Sequence, residues 1–175
     1  MIQSLRVAFG VDNNSACLSE TTAVCIEVFD CYDCIPAEQR SYIRTKDEEP
    51  VHFTLNNPKA ENICFAAVDN CLLGSRDPAK CDFIIGNEQK FYFVEIKNTI
   101  INKRRAARAS ALTQLDSSIG HLRKSINLID TELIAVICLK AKQVYPLQTA
   151  TRSAEVVKFK LTHNATLMEG QSAIF

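Results

Sequence analysis

Two carboxylates and one lysine stand out in an apolar stretch of the chain, CDFIIGNEQKFYFVEIK, residues 81–97. Asp82 lies near its start, and Glu95 and Lys97 lie in its most hydrophobic part. Charged groups in such surroundings are costly unless they are paired or bind a metal ion. Hard carboxylate oxygens are the ligands that divalent cations such as Mg²⁺ prefer. An ammonium group beside them would stabilise negative charge that develops during a reaction.

The elements around these residues must bring them together. The pattern predicts a hairpin in which CDFII and KFYFVEIK are strands and GNEQ is a four-residue loop. That register places Asp82 opposite Phe93. Because side chains alternate across a strand, Asp82 and Glu95 then share one face at a diagonal distance of about 7–8 Å, with Lys97 beside them. A shift of one residue would move Asp82 to the other face.

A third carboxylate is a candidate for the same site. Residues 58–73 are predicted to form a helix, with Asn57 as its N-cap, Pro58 at its first position and Gly74 as its stop. Glu61 falls on the apolar face of that helix and would need a partner. An alternative is that Glu61 lies in the first turn because the helix dipole favours acids there.

Asp82, twelve intervening residues and the run Glu95-Ile96-Lys97 resemble the D…ExK signature of the PD-(D/E)XK nuclease superfamily, whose fold is called restriction-endonuclease-like. The resemblance covers residues 57–140. It includes a helix with an acid, a hairpin with the signature, a long helix and an apolar strand. In one departure, Cys81 stands where the family often has a proline.

The resemblance implies a three-layer α/β fold with an αβββαβ core, in which a central mixed sheet is flanked by helices. It implies that the acids bind Mg²⁺ or Mn²⁺ with help from the carbonyl of Ile96, and that Lys97 orients or activates the attacking water. Many members carry a glutamine at the start of the next helix, and Gln114 is the candidate here. The implied metal ligands are Glu61, Asp82, Glu95 and Ile96, and the implied catalytic residues are Asp82, Glu95, Lys97 and Gln114.

A run of basic residues follows the signature in KNTIINKRRAAR, residues 97–108, which contains no acid. Lys103, Arg104, Arg105 and Arg108 lie around the expected start of a long helix. A helix N-terminus with added arginines favours phosphate binding, so these residues are the predicted nucleic-acid contacts, with DNA as the predicted partner. The alternative is a solvated helix end.

Hydrophobic periodicity predicts the remaining elements. A helix over 103–128 has an apolar stripe that includes Leu115, Ile119 and Leu122. Strands are predicted at residues 51–55, at residues 132–139, near VYPL (144–147) and near EVVKFKL (155–161). TTAVCIEVFDC fits either a strand or a short helix. We therefore predict a single domain over residues 1–175, with a catalytic core at 57–140 and an N-terminal elaboration at 1–55 that has no clear assignment.

Composition limits the partners and the location. The 175 residues include 20 Lys plus Arg and 20 Asp plus Glu, so the formal net charge is zero. A partner rich in phosphate must therefore be bound by a local basic patch. No apolar run reaches the length of a membrane span, and the N-terminus lacks a secretory signal pattern, which predicts a cytoplasmic protein without a membrane partner. Cleavage of both strands of a duplex would require a homodimer.

Eight cysteines are present, and only Cys31 and Cys34 form a CxxC pair. Zinc sites usually need a second pair of ligands, so we predict reduced structural thiols, with Cys64, Cys71 and Cys81 as small buried hydrophobes. The alternative is a zinc-stabilised structural protein built on Cys31 and Cys34. The leading functional hypothesis is an Mg²⁺-dependent nuclease that hydrolyses phosphodiester bonds in DNA. The alternative is a catalytically inactive module of the same fold that binds nucleic acid or protein.

Overall fold

The computed structural model describes residues 1–35, 38–74, 77, 79–139 and 150–175. The helices in these ranges are α1 (Ile2–Phe9), α2 (Arg104–Ser125), which a short 3-10 turn (Ile101–Lys103) precedes, and α3 (Ala150–His163). The strands are β1 (Leu18–Thr21), β2 (Cys25–Asp30), β3 (Ser41–Ile43), β4 (Phe53–Asn56), β5 (Ile63–Ala67), β6 (Phe83–Gly86), β7 (Lys90–Lys97), β8 (Glu132–Leu139), β9 (Ala165–Glu169) and β10 (Ser172–Ile174).

The strands form two mixed sheets. The large sheet has the order β1-β5-β6-β7-β8-β9, and the small sheet has the order β10-β4-β2-β3. Strands β5, β6 and β7 run antiparallel to one another, and β8 lies parallel to β7 after the crossover through α2. A second crossover through α3 places β9 parallel to β8. The segment 1–55 supplies β1 to the large sheet and three strands to the small one.

Different layers cover the two faces of the large sheet. One face packs against the helices, with Leu5 of α1, Leu115 of α2 and Phe159 of α3 in a shared core. The other face packs against the small sheet, through residues such as Val28 and Phe53. The prediction of a mixed α/β fold is therefore confirmed. The expectation of helices on both faces is wrong for the described residues, because the small sheet occupies the second face.

The predicted hairpin is present, with a register that differs by two residues. Phe83 pairs with Val94 and Gly86 pairs with Phe91, so the turn begins one residue later than the predicted GNEQ loop. A shift by two keeps every side chain on its predicted face. If the ladder is extended by one residue, Asp82 lies directly opposite Glu95 rather than one diagonal step away.

The predicted helix over residues 58–73 is wrong. The segment contains strand β5, whose five residues are all buried because they face both cores of the molecule. The N-cap signal at Asn57 corresponds to a turn, since its side chain accepts a hydrogen bond from the Glu61 amide and donates one to the Glu61 carbonyl. Ala60 then has a φ of 51°, which is incompatible with a continuing helix.

Predictions for the C-terminal half have mixed outcomes. The long helix and the strand over 132–139 are confirmed as α2 and β8. The predicted strand over 155–161 is wrong, because Val156, Phe159 and His163 recur at helical spacing and place one face of α3 against the core. The strand predicted near VYPL lies outside the described residues. In the part of the chain that is described, no helix combines the length and hydropathy needed to cross a membrane.

The prediction of reduced thiols is wrong for four cysteines. Cys17 is bonded to Cys71, and Cys31 is bonded to Cys34. Their Cα atoms lie 5.6 and 5.4 Å apart, within the usual range for disulfides. This pairing also removes the CxxC thiols from the zinc alternative. Cys64 and Cys81 are buried free thiols, as predicted, and burial raises the pKa of Cys64 to about 12.

Gly86 fixes the hairpin turn and provides a test of its register. Its φ is +156°, and a Cβ atom there would overlap the backbone of Lys90 and Phe91. We expect Gly86→Ala to lower the free energy of unfolding by at least about 2 kcal/mol, measured by urea denaturation.

Gly120→Ala is the matched control, because a Cβ atom at this position on α2 meets nothing within 4 Å. Higher helix propensity should make that variant more stable by up to about 1 kcal/mol. Equal effects of the two substitutions would contradict the close approach of Gly86 to the backbone of Lys90 and Phe91.

Candidate active site

A cavity of about 270 Å³ opens where β7 ends and β6 begins. The signature residues Asp82, Glu95 and Lys97 line it together with Gln114 of α2. The end of β2 and the segment before β3 form the opposite wall. The cavity is therefore built between the predicted catalytic core and the segment 1–55.

Helix α2 holds the segment that precedes Asp82. Gln114 donates a hydrogen bond from Nε2 to the carbonyl oxygen of Lys80 at 2.9 Å, and the Ser118 hydroxyl accepts one from the Cys81 amide at 2.7 Å. These two residues are four apart, so they share one face of the helix. Two consecutive backbone groups are thus fixed immediately before Asp82.

Asp82 and Glu95 face each other at the end of the hairpin. Asp82 Oδ2 accepts a hydrogen bond from the Ile96 amide at 2.5 Å. The Asp82 carbonyl accepts hydrogen bonds from the amides of Val68 and Asp69, which follow β5. Directly opposite residues in an antiparallel pair have Cβ atoms about 4.5–5.5 Å apart, so both carboxylates can reach one small ligand.

Lys97 links Glu95 to α2. Its Nζ lies 2.6 Å from Glu95 Oε1 and also 2.6 Å from Gln114 Oε1. The side chain of Glu95 is 1% exposed, and that of Lys97 is 23% exposed. The second carboxylate oxygen, Glu95 Oε2, is buried and has no hydrogen-bond partner among the described residues. One oxygen of this carboxylate is therefore satisfied, and the other is available to a ligand.

Burial and neighbouring charges perturb both carboxyl groups. The pKa of Glu95 is raised to about 7, chiefly by burial and also by the charges of Asp69 and Asp30, while Lys97 opposes the rise. Burial also raises the pKa of Asp82 well above its usual value, with a further contribution from the charge of Glu95. The Ile96 amide and the Lys97 ammonium act in the opposite direction on that pKa. A bound cation would favour the charged form of both acids and so oppose these rises in pKa.

The donor set fits an Mg²⁺- or Mn²⁺-type ion. The two facing carboxylates offer hard oxygens, and a cation would supply the partner that Glu95 Oε2 lacks in the described part of the chain. Within the described ranges, no group of three or more acidic, histidine or cysteine side chains is arranged to hold a metal ion. Mg²⁺ commonly binds through one or two carboxylates and keeps several waters, so two protein ligands are compatible with it.

Glu61 does not join this cluster. It lies in the turn before β5, and its carboxylate accepts a hydrogen bond from the Asn87 side chain at 3.0 Å, at the turn end of the hairpin. The cluster lies at the other end of the hairpin, so the predicted assignment of Glu61 as a metal ligand is wrong. Its placement rested on the predicted helix over 58–73, a segment that instead contains a turn and strand β5. Ile96 lines the cavity, and the role of its carbonyl stays a prediction.

The basic run divides into two groups. Lys103 and Arg105 are exposed at the start of α2, where the first turn contains no acid, and Arg104 is half-buried. The prediction that Arg108 contacts nucleic acid is corrected, because Arg108 forms ion pairs with Glu155 and Glu169. Both glutamates belong to the α3–β9 unit, so Arg108 joins α2 to that unit instead of facing a ligand.

Sequence reasoning missed the wall formed by the segment 1–55 and the acid after β5. Asp30, Arg40 and Asp69 all line the cavity. Asp30 ends the strand CIEVFD, and Asp69 follows the apolar run of β5 closely. The available signal was an acid at the end of an apolar strand. It was not recognised, because the segment 1–55 that contains Asp30 had no clear assignment and the segment 58–73 that contains Asp69 was predicted as a helix.

Comparison of this chain with protein-family models, with curated proteins and with solved structures finds no match. The interpretation of the site therefore depends on its own geometry.

Glu95 provides a pH-dependent test of the buried site. A carboxyl group whose pKa rises on folding stabilises the protein fully below its unfolded pKa and loses that contribution as pH rises through its folded pKa. Without metal, the wild type should therefore lose on the order of 3 kcal/mol of stability relative to Glu95→Gln between about pH 4.5 and pH 7. Urea unfolding in EDTA across this range measures the difference.

Glu48→Gln is the control, because Glu48 is exposed and this variant should follow the wild type at every pH. Parallel pH profiles for wild type and Glu95→Gln would refute the raised pKa of this buried carboxyl group.

Proposed function

We propose that this protein is a divalent-cation-dependent nuclease that hydrolyses phosphodiester bonds in DNA, with a restriction-endonuclease-like core. One observation carries the proposal: Asp82, Glu95, Lys97 and Gln114 converge on one cavity, in which Glu95 Oε2 lacks a partner among the residues that the structure describes. The order of elements supports it as well. Three antiparallel strands, a crossover helix and a parallel strand follow the expected core, although a strand stands where its first helix was expected.

Each side chain has a specific task in this proposal. Asp82 and Glu95 hold the cation on hard oxygens. When bound, the cation would polarise the phosphate and lower the pKa of a water molecule. Lys97 places a positive charge next to the attacking oxygen and stabilises the negative charge that develops there. Gln114 fixes the Lys97 ammonium through its Oε1 atom while its Nε2 is anchored on the backbone.

Removal of the Lys97 ammonium tests the catalytic role. We expect Lys97→Ala to lower cleavage of plasmid, linear or branched DNA about 100-fold or more in Mg²⁺ or Mn²⁺. The electron paramagnetic resonance of added Mn²⁺ should show that Lys97→Ala still binds the ion. Asp82→Asn and Glu95→Gln should weaken that binding.

Lys90→Ala is the matched control, because Lys90 lies at the other end of the same strand in an ion pair with Glu132. It should cleave like the wild type. Equal cleavage by wild type and Lys97→Ala, or no cleavage of any substrate by the wild type, would end the catalytic proposal.

The second candidate is a nucleic-acid-binding module without turnover. The exposed Lys103 and Arg105 at the N-terminus of α2 favour it, since this surface can bind phosphate without a metal ion. The two candidates predict different metal dependence. Binding by this surface should persist in EDTA, whereas cleavage should not.

A salt titration measures the contribution of this surface. We expect the double variant Lys103→Gln/Arg105→Gln to weaken DNA binding and to reduce the slope of log Kd against log salt concentration by about 1 for each lost phosphate contact. Lys158→Gln/Lys160→Gln removes two exposed lysines of α3 and should leave the slope unchanged. Equal slopes for both double variants would exclude the start of α2 from the DNA interface.

A further inference from the structure

Arg40 lies in the wall of the cavity that sequence reasoning missed. It immediately precedes β3 and lines the same cavity as Glu95 and Lys97. Its side chain is half-buried, and its guanidinium lies 4.8 Å from the centroid of the Tyr42 ring. It therefore faces the signature residues from the small sheet.

Within the described ranges, the charge of Arg40 has no carboxylate partner. Among the described residues, no acid lies within ion-pair distance of its guanidinium, and its Nε is buried without a hydrogen-bond partner. Its Nη1 donates to Cys71 Sγ at 2.9 Å and lies 3.9 Å from Cys17 Sγ, two disulfide sulfurs that are weak acceptors. These contacts hold the group in place without neutralising it.

Two other arginines of this protein pair with acids. Arg44 pairs with Glu27, and Arg108 pairs with Glu155 and Glu169. A partly buried guanidinium is costly unless an anion accompanies it. Because Arg40 faces a cavity, the missing anion can be supplied by a ligand. The planar guanidinium matches the oxygens of a phosphate group.

We propose that Arg40 binds a phosphate of the DNA substrate that flanks the scissile one. This inference rests on the proposed nuclease function and adds a substrate contact from the segment 1–55. The acids of the cavity repel an anion, and a bound cation would neutralise them. Cation and DNA therefore increase each other's affinity, and Arg40 contributes to that coupling.

The test measures binding of a fluorescent single-stranded oligothymidine to proteins that carry Lys97→Ala, so that binding is separated from cleavage. In Mg²⁺, Arg40→Gln should weaken binding about tenfold or more, and Arg40→Lys should recover part of the loss. The Mg²⁺-dependent gain in affinity should shrink in Arg40→Gln. The control Lys46→Gln removes an exposed lysine from the loop after β3 and should change the affinity less than about twofold.

Each outcome decides one question. Unchanged affinity and unchanged Mg²⁺ dependence in Arg40→Gln overturn the role of Arg40, while cleavage by the protein with Lys97 intact would still uphold the nuclease. If Arg40→Gln loses binding and the protein that retains Lys97 does not cleave DNA, the phosphate site is upheld and the nuclease function is refuted. Should Arg40→Gln unfold, the role of Arg40 is tested by NMR, with the Lys97→Ala protein titrated with the same DNA. The ¹⁵N resonance of Arg40 Nε, assigned by its loss in Arg40→Lys, must then shift.

Discussion

A carboxylate buried in the central sheet must be balanced, and this constraint shapes the whole neighbourhood of Glu95. Lys97 satisfies one of its oxygens, Gln114 holds Lys97, and the same glutamine anchors the backbone before Asp82. The second oxygen has no partner among the described residues. A buried ion pair rarely gains stability over apolar side chains, so stability alone does not account for this arrangement. The proposed cation-dependent hydrolysis gives a better account of the arrangement around Glu95.

The features that the sequence predicted best are those fixed by local periodicity. The alternation in KFYFVEIK defines two strand faces, and the hairpin keeps them even though its register differs by two residues. For that reason the shared face of Asp82 and Glu95 could be predicted without the correct turn. Helix α2 and strand β8 were also predictable, because each carries one long and unambiguous apolar pattern.

The remaining features depend on contacts that are distant in sequence. Strand β5 is apolar on both faces, so its pattern fits a buried helix equally well, and only its neighbours β1 and β6 determine the outcome. Strand β3 spans three residues, too few for periodicity to be informative. The cavity wall that contains Asp30 and Arg40 forms only when the small sheet packs on the large one, and no local signal encodes that packing.

The disulfide between Cys17 and Cys71 closes a covalent ring across 54 positions of the chain. This ring contains β1 to β5 and therefore both Asp30 and Arg40. In the chain-entropy account, such a ring lowers the entropy of the unfolded state by the equivalent of about 4 kcal/mol. A proteolytic cut in any loop within the ring would leave the two fragments tethered. A reducing environment would remove the tether, so the redox state of the surroundings governs how firmly the two halves of the cavity stay together.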